Sequence, residues 1–366
     1  MPPFSSDRPR DLLPPRTPGD DAERLPGNAQ RAIDRPPISK RMFAAGSSRG
    51  ISDALVPLIL GLALLPGAAA SANPGTAEGD SGFDFRKGER IVLIGNTLAD
   101  RLQHFGWLET RLQLAFPDRE LSIRNMGWSG DEVALMPRPL DFGSLEEHLA
   151  ERKADSILMC FGANESFRGE AGLETFRSDL RDLIDRLGAE PFNGKTPARL
   201  TLVSPIAHEP LGPPWPEAGP RNVELARYTN AMREVAKDAG IRFIDLFRPT
   251  RSLMKENAEA PFTINGIHLT EDGYRTVTEI LALELGASDP LPPDREAVEA
   301  LRALIVEKNR QFMLRWRPVN AEYVFGRRKE PFGVLSFPAE MEKLDRQIAA
   351  LDERIRAEAG KIAAKP

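Results

Sequence analysis

The sequence predicts an α/β protein, a three-layer doubly wound sheet of about five parallel strands with a helical C-terminal extension. Two observations predict it. From Gly88 onward, short apolar runs alternate with stretches of helical period. The chain of 366 residues is 41% hydrophobic and 28% charged, a globular composition that can fill a sizeable core without disulfide staples.

The elements follow in order. "RIVLIG" is a short apolar run that suits a buried parallel strand. The next segment carries Leu98, Leu102, Phe105, Leu108, Leu112 and Phe116, one helical stripe. "LSIRNMG" and "DSILMCFG" are the second and third strands. "GLETFRSDLRDLIDRLG" is a helix that Gly188 is expected to close. "ARLTLVSPI" is the fourth strand, followed by a helix that ends in glycine, and "IRFIDLF" is the fifth. The helix after Thr270 has that residue as its expected N-cap and acids in its first turn. This domain spans about residues 88–288.

The extension, 289–366, begins with a helix, continues through "RPVNAEYVFGRRKEPFGVLSFP" as mostly extended chain, and ends with Met341, Leu344, Ile348, Leu351 and Ile355 at 3-4-3-4 spacing. That last helix is expected to pack back on the domain, or to serve self-association or a protein partner.

The N-terminal part reads as an address. Residues 1–41 are rich in Pro, Arg and Asp without hydrophobic period and are expected to be disordered, with translation beginning at Met42. Arg49 flanks the apolar run Ala54–Leu65, and Ala70-Ser71-Ala72 forms a small-x-small cleavage site. Residues 42–72 thus read as a signal peptide, and cleavage near Ala72 predicts an exported, periplasmic or extracellular protein with no membrane span after processing. An uncleaved N-terminal anchor helix is the alternative. The net charge of −5 argues against nucleic-acid binding. The single cysteine, Cys160, lies in an apolar run, so it reads as a buried inert thiol and no CxxC-type site can exist.

In doubly wound sheets, ligands bind outside the carboxyl ends of the strands. That rule selects Gly95-Asn96-Thr97, Gly127 to Asp131, Gly162 to Glu165, and Ser204 to Glu209. His268, before the last helix of the domain, adds a group that can take a proton near neutral pH and return it.

Four blocks in order, Gly95-Asn96-Thr97-Leu98, Ser129-Gly130-Asp131, Gly162-Ala163-Asn164-Glu165 and Asn265-Gly266-Ile267-His268, resemble the SGNH or GDSL-like hydrolases. The resemblance implies an ester hydrolase that uses no metal or organic cofactor. It puts the nucleophile on Thr97, the general base on His268 and the residue that orients it on Asn265. The oxyanion donors fall on the Thr97 N–H, the Gly130 N–H and the Asn164 side-chain amide. Three departures stand out. Threonine replaces serine, adding a methyl that crowds attack. Asn265 replaces aspartate; an amide can fix the imidazole tautomer but cannot stabilise its cation by charge, a swap that costs about 10⁴ in rate in a serine protease. Asn96 and Glu165 stand where the family usually has aspartates. Glu165, Glu209 and Asp272 are acids that could reach His268 instead.

"IGNTLADR", "NMGWSGDEV", "FGANESF" and "VNAEYVFGRRKEPFGVLSFP" are also similar to an exported bacterial subgroup that keeps GNT in place of GDS. Some of its members are fused to c-type haem domains, and this chain has no CxxCH. His208, Trp128 and Glu165 are candidate substrate contacts, Trp128 as a sugar-stacking platform. The expected activity is an acyl or acetyl esterase acting on a small-molecule or glycan ester. The alternatives are an inactive binding or scaffold module and an O-acyltransferase.

Overall fold

The computed structural model describes residues 83–364; the segment read as disordered and the signal peptide lie outside the described residues. The five expected strands form one parallel sheet: β1 (Arg90–Gly95), β2 (Ser122–Asn125), β3 (Ser156–Cys160), β4 (Arg199–Val203) and β5 (Arg242–Ile244), in the order β2-β1-β3-β4-β5. The order reverses between β1 and β3, which opens a crevice at their carboxyl ends.

Both faces are covered, so the strands are apolar on both. Side chains alternate across a strand. Ile91 and Leu93 of β1 join one core with Leu158 and Cys160 of β3; Val92 and Ile94 join the other with Ile157 and Met159. Eleven α-helices complete the described chain: α1 (Thr97–Phe105), α2 (Trp107–Ala115), α3 (Leu145–Glu151), α4 (Leu173–Ala189), α5 (Ala218–Ala239), α6 (Phe247–Glu256), α7 (Glu271–Glu284), α8 (Arg295–Trp316), α9 (Ala321–Val324), α10 (Phe332–Leu335) and α11 (Phe337–Ala363). Among the described residues, no helix is long and apolar enough to cross a membrane.

Three local expectations change. The single stripe after β1 is two helices, because Gly106 adopts φ +69° and serves as C-cap of α1 and N-cap of α2. Gly188 lies inside α4, which ends one residue later with extended Glu190 as its C-cap. The stretch expected to be extended holds the short helices α9 and α10. Thr270 caps α7 as expected, its hydroxyl accepting from the Gly273 N–H at 3.0 Å.

The extension packs on the domain. Ile355, Ala359 and Ile362 of α11 meet Val298, Leu301 and Ile305 of α8 and Leu114 of α2. Lys308 of α8 is fully buried and donates to Glu109 Oε2 of α2 (2.7 Å), to the Ile123 carbonyl of β2 (2.9 Å) and to Asn309 Oδ1 (2.7 Å). Arg124 of β2 pairs with Asp352 of α11. A buried lysine is tolerable only because all three of its donors are matched.

Candidate active site

The strand-to-helix turn after β1 is fixed by close approach. Gly95 has φ +126°, and a Cβ there would fall 2.1 Å from the Cys160 carbonyl oxygen. The next residue, Asn96, donates its backbone N–H to that same oxygen at 3.1 Å, which ties the turn to the end of β3. The Asn96 side chain caps α1, accepting from the Leu98 N–H at 3.2 Å. Thr97 is therefore the first residue of a helix. Its N–H belongs to the turn whose donors have no intrahelical partner, and it sits at the positive end of the helix dipole. That is a suitable donor for a developing oxyanion.

The second block is held to the first by a carboxylate. Asp100 of α1 is buried and accepts from the Ser129 N–H (3.2 Å) and the Ser129 hydroxyl (2.6 Å). Its other oxygen takes Gln103 Nε2 at 2.9 Å and Arg317 of the extension at 3.2 Å. Gly130 follows in a left-handed conformation, φ +92°, on an exposed loop.

The third block returns to the second. Asn164 donates from Nδ2 to the Asp131 carbonyl at 3.1 Å, so its amide lies beside the Gly130 loop and has one further hydrogen to offer. Glu165 is 2% exposed and accepts from the Gly162 N–H and the Val133 N–H, both at 2.9 Å. Burial raises its carboxyl to about 7 against the pull of those N–H groups.

The fourth block is anchored from β4. Glu209 accepts from the Phe262 N–H (2.9 Å), the Thr263 N–H (2.7 Å) and the Thr263 hydroxyl (2.5 Å), and its own N–H donates to the Gly266 carbonyl at 2.8 Å. At the turn, Asn265 Oδ1 accepts from the His268 N–H at 2.9 Å and lies 3.1 Å from His268 Nδ1, with Nδ2 of the same amide at 2.9 Å from that nitrogen. The amide can therefore support either tautomer. With Oδ1 accepting from Nδ1–H, Nε2 carries the lone pair of a base; with Nδ2 donating to Nδ1, Nε2 carries a proton. Burial, and then the charge of Arg101, hold the His268 pKa below its ordinary value.

The first, third and fourth blocks meet at one cavity, with about 110 Å³ open to water-sized molecules. Its wall includes Asn96, Thr97, Asn164, His268, Ser204 and Arg221 beside the apolar Leu98, Phe161, Phe167, Ile206, Leu225 and Ile267. Thr97 and His268 thus face the same space, and among the described residues no hydrogen bond joins the hydroxyl to the imidazole. Gly130 stands outside the wall on the adjoining loop.

The three acids considered for His268 are elsewhere engaged or exposed. Glu165 and Glu209 are spent on backbone N–H groups, and Asp272 lies exposed in the first turn of α7. The structure does not bring the expected substrate contacts to the cavity wall. Glu165 is a buried strut. Trp128 packs edge-on against Phe142 and Trp316, with the guanidiniums of Arg138 and Arg317 at 4.5 and 4.7 Å from its ring centre, which leaves no free sugar platform. His208 is 7% exposed and lies under Gly266, where a Cβ would come within 2.3 Å of its Nε2. Sequence reasoning missed Arg221, which arrives from α5; no block marks it, and only folding brings it to the wall. Cys160 behaves as expected: burial pushes its thiol up to about 12.

A five-strand 2-1-3-4-5 sheet with a crevice at its switch point is the layout of a hydrolase-type fold. Residues 95–276 match the GDSL-like Lipase/Acylhydrolase family, and this domain of the chain belongs to that family. Among solved structures, the chain is similar to a gut microbial diltiazem-metabolizing enzyme, with a TM-score of 0.54 at 13% identity over 75% of this chain and 96% of that one. It is also similar to an acetylxylan esterase from Geobacillus stearothermophilus (TM-score 0.45, 18% identity, 55% of this chain and 96% of that one). An alpha/beta hydrolase enzyme from the metagenome of Lake Arreo, Spain, gives a TM-score of 0.44 at 20% identity, over 57% of this chain and 100% of that one. At such identities the likeness is one of fold. The search of curated proteins gave no match.

Proposed function

We propose that the chain is an ester hydrolase in which Thr97 attacks an acyl carbonyl. His268 Nε2 takes the hydroxyl proton and returns it to the leaving alcohol, and water then releases the acyl group by the reverse sequence. Asn265 orients the imidazole through Oδ1. The Thr97 N–H and the Asn164 amide, both on the cavity wall, receive the oxyanion; one such donor is worth about 3–4 kcal/mol in the transition state. The observation that carries this reading is the shared cavity wall of Thr97, Asn164 and His268. Its small volume favours short acyl groups, acetyl among them, and a carbohydrate ester is one substrate of that kind. The apolar run and small-x-small site of residues 54–72 support export of the mature chain.

Purified chain is expected to release nitrophenol from nitrophenyl acetate, and Thr97→Ala to abolish that release. Equal release by the variant would remove Thr97 from the mechanism. A second reading, a non-catalytic module that binds a glycan or acyl group, draws on one observation: His268 leans on an amide, with no carboxylate behind it. Saturable ligand binding without turnover across an ester panel would favour that module.

A further inference from the structure

The cavity wall has an asymmetry of charge. Among its residues are one guanidinium, Arg221, and one imidazole, His268, and no aspartate or glutamate. This is unusual ground for a chain whose net charge is −5. Arg221 is also positioned. Its Nη2 donates to the Ala163 carbonyl and to the Ser166 hydroxyl, both at 2.7 Å, and the guanidinium lies 3.6 Å from the centre of the Phe167 ring. Both tethered groups are neutral. Glu224, one turn along α5, is spent on Arg227 at 2.5 Å. Nε of Arg221 is buried without a partner, and among the described residues no carboxylate stands within ion-pair distance of the side chain. A second cation lies nearby: Arg101, one helical turn beyond Thr97, places its charge close enough to lower the His268 pKa.

A fixed guanidinium that no carboxylate neutralises, at the wall of an acyl-sized cavity, is suited to an anion, and arginine is a frequent partner of carboxylates. We propose that Arg221 binds a substrate carboxylate, so that the cavity selects esters carrying that charge a few bonds from the scissile carbonyl. The inference rests on the ester-hydrolase reading for the role of the site, but its test reads binding alone. A charge-assisted contact of this kind is expected to favour the charged ligand about tenfold to a hundredfold.

The probes are two pairs, measured by calorimetry on the full chain carrying Thr97→Ala. Monomethyl glutarate against dimethyl glutarate puts the charge on the acyl side. O-acetyl-lactate against its methyl ester puts the charge on the alcohol side. At least one charged probe is expected to bind tenfold or more tighter than its neutral partner. Adding Arg221→Gln is expected to erase that preference, and Arg221→Lys to retain part of it, because lysine keeps the charge and loses the tethers to Ala163, Ser166 and Phe167. If the glutamine variant fails to fold, the lysine variant and the salt dependence decide: the preference must shrink as salt rises from about 0.05 to 0.5 M. No preference for either charged probe, or a preference that survives Arg221→Gln or high salt undiminished, overturns the proposal. Failure of the ester-hydrolase reading would show separately, as absence of turnover in the unmodified chain.

Discussion

The frame around the cavity and the cavity itself use charge in opposite ways. Asp100, Glu165 and Glu209 are buried carboxylates, and each ties one site loop by two or more donors: Ser129 for Asp100, Gly162 and Val133 for Glu165, and Phe262 and Thr263 for Glu209. Inside that frame, the imidazole rests on Asn265, Arg101 lowers its pKa, and Arg221 is the charged side chain that shares its cavity wall. The acids serve geometry and the cavity is left electropositive. A neutral orienting residue then has a consequence. With no carboxylate to raise it, His268 stays unprotonated to lower pH, which suits a base but supports its cation poorly.

This contrast can be broken at several points. The largest expected effect is at His268. His268→Ala should lower kcat on nitrophenyl acetate by about 10⁴ while leaving the melting temperature close to that of the parent chain. Next is Asn265→Asp, which adds the missing charge to a position that already accepts from the backbone N–H groups of His268 and Ile267. Turnover should rise at least tenfold, with about 10⁴ as the ceiling, and the acid limb of the pH profile should move upward as the aspartate raises the His268 pKa. Steady-state rates between pH 5 and 8 check both. A fall in rate would mean that the carboxylate-free pair is already the working arrangement.

Smaller effects belong to the frame. Glu209→Gln leaves at least one of three donors facing an amide hydrogen, and should cost about 1–3 kcal/mol in denaturant unfolding. Activity should fall with it, because the same loop carries His268. Glu165→Gln should cost a similar amount at low pH. Its native carboxyl is raised above the unfolded value, so its contribution is fully present at low pH and is lost as pH rises toward and through about 7. The stability difference between parent and variant should therefore depend on pH in that window. The smallest effect is the pH limb of the parent chain. Because the His268 pKa lies below its ordinary value, kcat/KM should hold as pH falls through 6.5 and decline only below it.

Much of this was legible in the sequence. Five apolar runs became five parallel strands because each is short, β-branched or leucine-rich, and followed by a turn. The four blocks were legible because a post-strand turn has few solutions: Gly95 must be glycine, and Asn96 caps the helix that Thr97 begins. The unread parts depend on contacts made in space. Gly106 breaks a continuous hydrophobic stripe without interrupting its period. Glu165 resembles a site acid in sequence, and only burial against two N–H donors makes it a strut. Trp128 resembles a sugar platform until Arg317 and Trp316 arrive from the extension, about 190 residues later. Arg221 carries no local signal at all, since its meaning comes from Ala163, Ser166 and Phe167 on another segment.

The central claim is that Thr97, activated by an imidazole backed only by an amide, forms a covalent bond to the acyl group. Mass spectrometry of chain quenched in acid during turnover of nitrophenyl acetate tests it directly. The account predicts an acetyl adduct on the peptide containing Thr97, absent from chain carrying Thr97→Ala. Nitrophenol release with that peptide unmodified, or no release at all from folded chain, would contradict it.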